Sequence, residues 1–497
     1  MSLQIDFNIG YAGSQCLYRE IYQRFREAIV NGSLPAGVRV PSIRTLASEL
    51  RLSRNTVEKA YDLLIGEGLL VSNGSAGTTV APVSRVRPAI RSCRVSQPEG
   101  AADRVPQTDL RRTAVVGRVE PEDMSQLSVL AGHLAANVPR PFQLGIPALD
   151  AFPVGTWLTL SQRVLRDRLT LRQEGDPQGY LPLRQAIAAH VHLSRGIHCL
   201  ASQVFVTQGY RQSLSLVAAA LLRPGDEAWV EDPVYPPALR LLQRLGIRPV
   251  AVPVDEAGIQ VEVGRSIGTG ARLALVTPAN QSPLGMAMSI ARRSELLAWA
   301  VESEAWILED DYDSEFCAEG RLQPTLCSLD REGRAIYFGS FSKALHPTLR
   351  VSYIVVSASL VPLLRETCRD VVDGAPIPIQ RALATFMVEG HFGRHLKRMR
   401  GLYNRRREVL VRQVEKQLGD RLRCAPAGSG LCVLAKLHDC ASDTAIAARA
   451  EAVGLAVGAL SARGVARSPG QGLLLGHSNF VDETAVKRAV ELLVGCM

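Results

Sequence analysis

Apolar runs that end in reactive side chains constrain this chain more than any other feature. Ile307-Leu308 leads into Glu309-Asp310-Asp311-Tyr312. About thirty residues later Ile336-Tyr337-Phe338-Gly339 leads into Ser340-Phe341-Ser342-Lys343, with Arg350 seven residues beyond. Each reads as a strand whose C-terminal end carries chemistry, the place where open α/β sheets put ligand groups. A third run, Val204-Phe205-Val206-Thr207, passes through Gln208-Gly209-Tyr210-Arg211 into an Ala/Leu helix around Leu214–Leu222. The first backbone N–H groups of that helix form a natural phosphate site. A fourth, Val230-Glu231-Asp232-Pro233-Val234-Tyr235, ends in an aromatic ring. From about residue 140 onward such strands alternate with amphipathic helices, the pattern of an α/β domain.

The residues before that zone follow different rules. Tyr18, Ile21, Tyr22, Phe25 and Ile29 recur at helical spacing, and the pattern stops at Asn31-Gly32. Ser42 is placed to cap a second helix through Leu50, and Ser53 a third that carries Val57, Ala60, Tyr61 and Leu64 on one face. Leu69-Leu70-Val71 and Thr78-Thr79-Val80 flank a Gly-rich tip at Gly74, a β-hairpin pattern. Helix-turn-helix plus hairpin predicts a winged helix over residues 14–80. Its third helix presents Ser53, Arg54, Asn55 and Thr56 at the N-terminal turn, where such helices meet base edges and phosphates. Arg44, Lys59 and the wing at Gly74 add candidate backbone contacts. The same Ser-Arg-Asn-Thr is also simply a good N-cap, and charge does not choose between the readings. Residues 1–80 hold eight Lys/Arg against seven Asp/Glu. Residues 81–137, rich in Arg, Pro, Ser and Gln, read as a flexible linker, and residues 138–497 as the large domain.

Composition excludes several classes. Hydrophobic residues make up 46% and charged residues 21%, so the chain as a whole is not disordered. No run nears the roughly 18 apolar residues of a membrane span, and the N-terminus lacks a signal-peptide pattern; a cytoplasmic location without membrane contact is the expectation. A net charge of +9 spread over 497 residues permits a polyanionic partner without requiring one. The ten cysteines contain no Cys-x-x-Cys pair and are expected to be reduced. His391 and His395 stand at i, i+4, but Phe392, Leu396 and Met399 make that helix an amphipathic packing element, and no metal is expected.

Taken together, the strand-end residues meet the needs of pyridoxal 5′-phosphate. An amine must form a Schiff base with its aldehyde. A carboxylate must hold its pyridine nitrogen protonated so that the ring withdraws electrons. Hydroxyls and an arginine must hold the phosphate. From about residue 140 to the end the chain resembles the fold-type I aminotransferases, LPAGVRVPSIRTLASELRLSRNTVEKAYDLLIGEGLL resembles the GntR-type winged helix, and EDPVYPPALR, ILEDDYDSEF, GSFSKALHPTLR and EGHFGRHLKRMRGLYNRRREVL are similar to a subfamily that joins the two. In this combination the chain resembles, over almost its whole length, the MocR/GabR subfamily of GntR-type regulators.

The resemblance implies a winged helix-turn-helix joined to an α/β pyridoxal-phosphate transferase fold of type I with a smaller C-terminal α+β subdomain. By it Lys343 forms the Schiff base, Asp310 pairs the pyridine nitrogen and Tyr312 bonds the ring hydroxyl, with Asn280 beside it. Ser340, Arg350, Gly209, Tyr210 and Arg211 surround the phosphate, and Tyr235 stacks on the ring. The resemblance further implies a head-to-tail homodimer in which one chain's winged helix rests near the other's large domain. It implies a DNA operator as partner and an amine or amino-acid effector, or the cofactor itself, as signal. A working aminotransferase with an accessory DNA-binding domain is the alternative. Three positions depart from the aminotransferase pattern. Glu174 stands where a tyrosine often reaches a neighbouring phosphate, Ser282-Pro283-Leu284-Gly285 replaces Asn-Pro-x-Gly, and Leu474 stands where an arginine clamps the substrate carboxylate. Arg240 and Arg463 are the candidate substitutes.

Overall fold

The computed structural model describes residues 17–30, 32–50, 52–66, 69–72, 77–81, 139–167, 175–316, 324–371, 374–425, 430–438 and 441–497. The linker expected over 81–137 falls, beyond Ala81, outside the described residues, as do the wing tip at Gly74 and Glu174.

The N-terminal unit has helices α1 (Leu17–Val30), α2 (Ile43–Glu49) and α3 (Arg54–Gly66), followed by the hairpin strands β1 (Leu70–Ser72) and β2 (Thr78–Val80). Ser42 and Ser53 cap α2 and α3 as their positions suggest, each Oγ accepting the N–H three residues on at 3.1 Å. Ile21, Phe25, Leu46, Val57, Tyr61 and Leu64 close a core of their own. Tyr61 ties α3 to the approach of α2 by donating to the Pro41 carbonyl at 2.8 Å.

The large domain is built on an eight-stranded sheet. Its strands are β3 (Val204–Thr207), β4 (Glu227–Asp232), β5 (Arg248–Asp255), β6 (Gly258–Ile259), β7 (Ala271–Val276), β8 (Trp306–Asp311), β9 (Ala335–Ser340) and β10 (Ser352–Val355), in the spatial order β3-β10-β9-β8-β7-β4-β5-β6. The pairs from β9 through β5 are parallel, and β10 runs antiparallel to both β9 and β3. The C-terminal ends of β3, β4, β7, β8 and β9 therefore open on one edge. β7, β8 and β9 are almost wholly buried, as expected of strands covered on both faces, and β8 carries that burial through its three terminal carboxylates. The helices used below are α4 (Leu181–Arg195), α5 (Tyr210–Leu221), α6 (Pro236–Arg244), α7 (Phe341–Ala344), α8 (Ile377–Val388) and α9 (His391–Leu418).

A second, antiparallel sheet, β11 (Leu422–Cys424), β12 (Cys432–Leu437), β13 (Gly458–Ala459) and β14 (Gly472–Gly476), forms the smaller C-terminal subdomain in the order β11-β12-β14-β13. Its core joins Val433, Leu473 and Leu475 to Leu410 and Val414 of α9. The described cysteines are free; Cys368 and Cys496 are buried, and Cys199, Cys327, Cys424 and Cys432 half-buried. No described helix is long and apolar enough to cross a membrane.

Candidate cofactor site and DNA-binding face

The sheet edge gathers the residues that the sequence separates. Gly209 follows β3 at the start of α5 with φ +96°, a conformation that favours glycine. A Cβ there would stand in ordinary contact with Arg350, 3.5 Å from its guanidinium carbon, which places that side chain beside the N-terminus of α5. Arg350 itself holds φ +51°, a strain of order 1–3 kcal/mol that a non-glycine residue bears mainly where the surroundings demand it. Ser340 ends β9, and its Oγ accepts from the Ser342 N–H at 3.2 Å and from Ser352 Oγ at 3.0 Å. Arg211 is exposed on the first turn of α5. Tyr210 packs edge-on between Phe338 and Tyr235, with ring centroids 6.1 and 5.9 Å away.

Period-two alternation divides the acidic run at the end of β8. Asp310 and Tyr312 face Lys343, whereas Glu309 and Asp311 face the other way. Burial lifts the Asp310 carboxyl to about 7, with Lys343 pulling it back down, and burial lowers the Lys343 ammonium, with Asp313 and Asp310 opposing. Lys343 Nζ sits 3.8 Å above the centre of the Tyr312 ring. Asn280 lies beside Tyr312: its Nδ2 donates to Tyr312 Oη at 3.0 Å and to both Asp313 oxygens at 3.0 and 3.1 Å. Tyr312 in turn donates to the Asn280 carbonyl at 3.0 Å.

Asp313 is a site residue that the sequence reading missed. It is the foremost electrostatic partner of Lys343, and the backbone of Gly430 approaches so closely that a Cβ there would collide with it. Its signal lay in the quoted DDYDSEF, three residues past Asp310, but the loop that turns it back cannot be read from a strand pattern.

The opposite end of the site is apolar. Leu474 pairs with Leu434 across β14 and β12, and the two form a buried cluster with Leu460. Leu144, Leu284, Ala425 and Cys432 pack against it. Nearby, the Asp232 carboxylate accepts three backbone N–H bonds, from Val465, Ala466 and Arg467 at 2.8–3.0 Å, and Val234 N–H donates to the Arg463 carbonyl at 3.1 Å. These bonds fix the half-buried Arg463 beside Tyr235. Its electrostatic neighbours are Tyr235, Cys432 and Arg240, none of them a carboxylate. Tyr235 is 44% exposed at the start of α6.

These residues fit pyridoxal phosphate. Gly209 and Arg350 leave a cradle at a helix N-terminus, and a buried carboxylate and a desolvated amine face each other across the edge. Asn280 Oδ1 is buried with no hydrogen-bond partner among the described residues. On the winged helix, Arg44, Ser53, Arg54, Asn55 and Lys59 are exposed and Thr56 half-exposed. Ser53 and Thr56 also bond each other, Oγ to Oγ1, at 2.7 Å, so the N-cap and the candidate DNA-facing turn are the same residues. Arg39, which the sequence reading passed over, underlies the wing, filling the space a Cβ at Gly77 would need. His395, half of the i, i+4 pair, bonds the Ala344 carbonyl through Nε2 at 3.0 Å, and His391 stacks on Phe386.

Known proteins match both parts of this architecture. Residues 142–481 match aminotransferase class I and II, and residues 17–80 match the gntR family of bacterial regulatory proteins. The chain is 33% identical to the probable rhizopine catabolism regulatory protein MocR of Rhizobium meliloti over 94% of this chain and 91% of that one. The chain belongs to the MocR/GabR subfamily of GntR-type transcriptional regulators. The pyridoxine biosynthesis regulator PdxR of Corynebacterium glutamicum is 30% identical over 83% of this chain and 81% of its own. A kynurenine aminotransferase of Pyrococcus horikoshii superposes on 78% of this chain and 96% of its own with a TM-score of 0.67, at 22% identity, and shows the shared fold. A MocR-type regulator of this build binds DNA, and its aminotransferase-like domain takes pyridoxal 5′-phosphate.

Proposed function

We propose that this regulator holds a double-stranded DNA operator with its winged helix and senses an amine or amino-acid effector, or the cofactor itself, at Lys343. The observation that carries this reading is the apolar cluster around Leu474. Without an arginine at Leu474 to clamp its α-carboxylate, an ordinary amino acid is positioned less well for turnover at a site that captures amines. Bound pyridoxal phosphate supplies an aldehyde that captures amines and a ring that withdraws electrons. Lys343 is the amine that would hold the aldehyde, and Asp313, Asp310 and the Tyr312 ring would receive its ammonium whenever it is free. Asp310 holds the pyridine nitrogen, Tyr312 and Asn280 the ring hydroxyl, and Tyr235 covers the ring face. Gly209, Tyr210, Arg211, Ser340 and Arg350 hold the phosphate. Arg463, with no carboxylate among its described electrostatic neighbours, is the group to receive an anionic part of the effector.

At the DNA, Arg54 and Asn55 read base edges, while Arg44, Ser53, Thr56, Lys59 and the wing at Gly74 contact the backbone. The assignment extends to a winged helix over 14–80, a linker over 81–137 and the large domain over 138–497. It includes a head-to-tail homodimer acting in the cytoplasm, where its operator would lie. One relative is named for rhizopine catabolism and another for pyridoxine biosynthesis, which supports both kinds of signal.

The test is visible absorption of the full chain with pyridoxal phosphate, titrated with amines and amino acids. A Lys343 band that shifts and stays shifted supports sensing. The buried Asp310 carboxyl keeps transamination chemically open, and a band that bleaches and recovers with a keto acid would make the protein an aminotransferase.

A further inference from the structure

Two glutamates at the strand ends are buried, and desolvation lifts both carboxyls to about 7. Their surroundings differ. Glu309, turned away from the cofactor site, lies 3.7 Å from Arg293 and accepts the N–H groups of Leu326 and Cys327 at 3.1 and 3.0 Å. Glu231, next to last in β4, has no cation among its described electrostatic partners. It bears instead on two residues of the cofactor site, Asp310 and Tyr210.

What Glu231 touches is the loop that carries Asn280. Its Oε1 accepts the Thr277 N–H at 3.2 Å, and its Oε2 accepts the Thr277 hydroxyl at 2.5 Å and Gln281 Nε2 at 3.3 Å. Both partners pass the hold along. Thr277 Oγ1 accepts the Ser282 N–H at 3.1 Å, and Gln281 Oε1 accepts the Leu284 N–H at 3.1 Å. Gln281 Nε2 also donates to the Pro233 carbonyl at 3.0 Å, two residues before Tyr235. One carboxyl thus ties together the segment that bears Asn280 and the segment that bears Tyr235.

A carboxyl desolvated without a cation stabilises a strand end less than an apolar side chain would. What it supplies here is a set of accepted bonds that no apolar residue can make. We propose that Glu231 is a positioning residue that clasps the 277–284 loop to the end of β4, so that Asn280 with Tyr312 on one side and Tyr235 on the other are held in place for the cofactor. This rests on the reading of Lys343 as the Schiff-base lysine and of Tyr312 and Asn280 as partners of the ring hydroxyl. Donors aimed at that oxygen favour its charged form, so slackening them makes the oxygen more basic.

The test is the pH midpoint of the Lys343 band in the full chain with pyridoxal phosphate, read beside cofactor affinity and the urea midpoint without cofactor. Glu231→Leu is expected to raise the band midpoint by about one pH unit and to weaken cofactor binding about tenfold. Glu231→Gln keeps an acceptor for the Thr277 N–H and a donor for its hydroxyl, and should bring the midpoint back to within about 0.3 unit of wild type. Glu309→Gln, the matched buried carboxyl on the other side, is expected to lower the urea midpoint without moving the band. Thr277→Val, close to threonine in shape, decides the matter if Glu231→Leu does not fold, with an expected rise of about half a unit. A wild-type band midpoint in folded Glu231→Leu, or in Thr277→Val where the leucine variant does not fold, overturns the clasp. So does a Glu309→Gln chain that shifts the band as far as Glu231→Leu. Absence of the band in the wild-type chain overturns the reading of Lys343 and the clasp with it.

Discussion

The two ends of the cofactor site are built to different standards. At one end a glycine with φ +96°, an arginine with φ +51°, a helix N-terminus and a buried aspartate are all in place. At the other, where the resemblance to aminotransferases puts the substrate carboxylate, Leu434, Leu460 and Leu474 make an apolar cluster. The difference separates two tasks that an enzyme performs together. Capturing an amine needs only the first end, whereas orienting it for repeated chemistry needs both.

The sharpest test removes the amine that both tasks share. Lys343→Ala is expected to abolish the visible Schiff-base band completely while leaving affinity for operator DNA without cofactor within about twofold at fixed salt. Loss of DNA binding in a properly folded Lys343→Ala chain would show that the ends are not separable from the DNA-binding unit.

Next in size is the apolar end. If Leu474 merely lacked an arginine, Leu474→Arg would restore a clamp. If the surroundings have repacked around leucine, it buries a cation without a partner and costs on the order of 3–5 kcal/mol. The second outcome is expected, read as a large fall in the urea midpoint with no gain of turnover on amino acids. A stable variant that transaminates would break the comparison.

At the complete end, Arg350→Ala removes one charge-assisted contact to phosphate. Hydrogen bonds to charged groups are worth about 1.5–3 kcal/mol, so pyridoxal phosphate affinity should fall roughly 10–100-fold in a spectroscopic titration. An unchanged affinity would mean that the helix N-terminus alone holds the phosphate.

The complete end was legible in the sequence because its residues sit at strand ends, and a strand end is a local pattern. Lys343, Asp310, Tyr312 and Gly209 could be named from apolar runs and the polar residues that terminate them. The winged helix was legible for the same reason, through the caps at Ser42 and Ser53. The remainder depends on contacts between distant segments. Nothing local shows that Asp311 turns to Arg195, that Asp313 returns to Lys343 under Gly430, or that Asp232 pins the segment carrying Arg463. Leu474 could be singled out in the sequence, but not the leucines Leu434 and Leu460 that pack with it.

The smallest effect distinguishes the ends by their buried histidines. His395 bonds the Ala344 carbonyl behind Lys343, and His477 bonds the Gly430 carbonyl at 3.1 Å over Asp313. Burial pulls both imidazoles down to about 4, with nearby arginines adding to it and the carbonyl bonds opposing. A histidine held below its unfolded value of about 6.5 contributes stability above that pH and loses it as pH falls toward 4. Each should therefore weaken the fold by about 1 kcal/mol between pH 7 and 5.5. His395→Gln and His477→Gln, unfolded in urea at both values, should each flatten that slope by the same amount without cofactor. With pyridoxal phosphate bound, only the His395 variant should alter the Lys343 band, because only that imidazole backs the lysine turn. Equal effects of both variants on the band would show that the apolar end takes part in holding the amine.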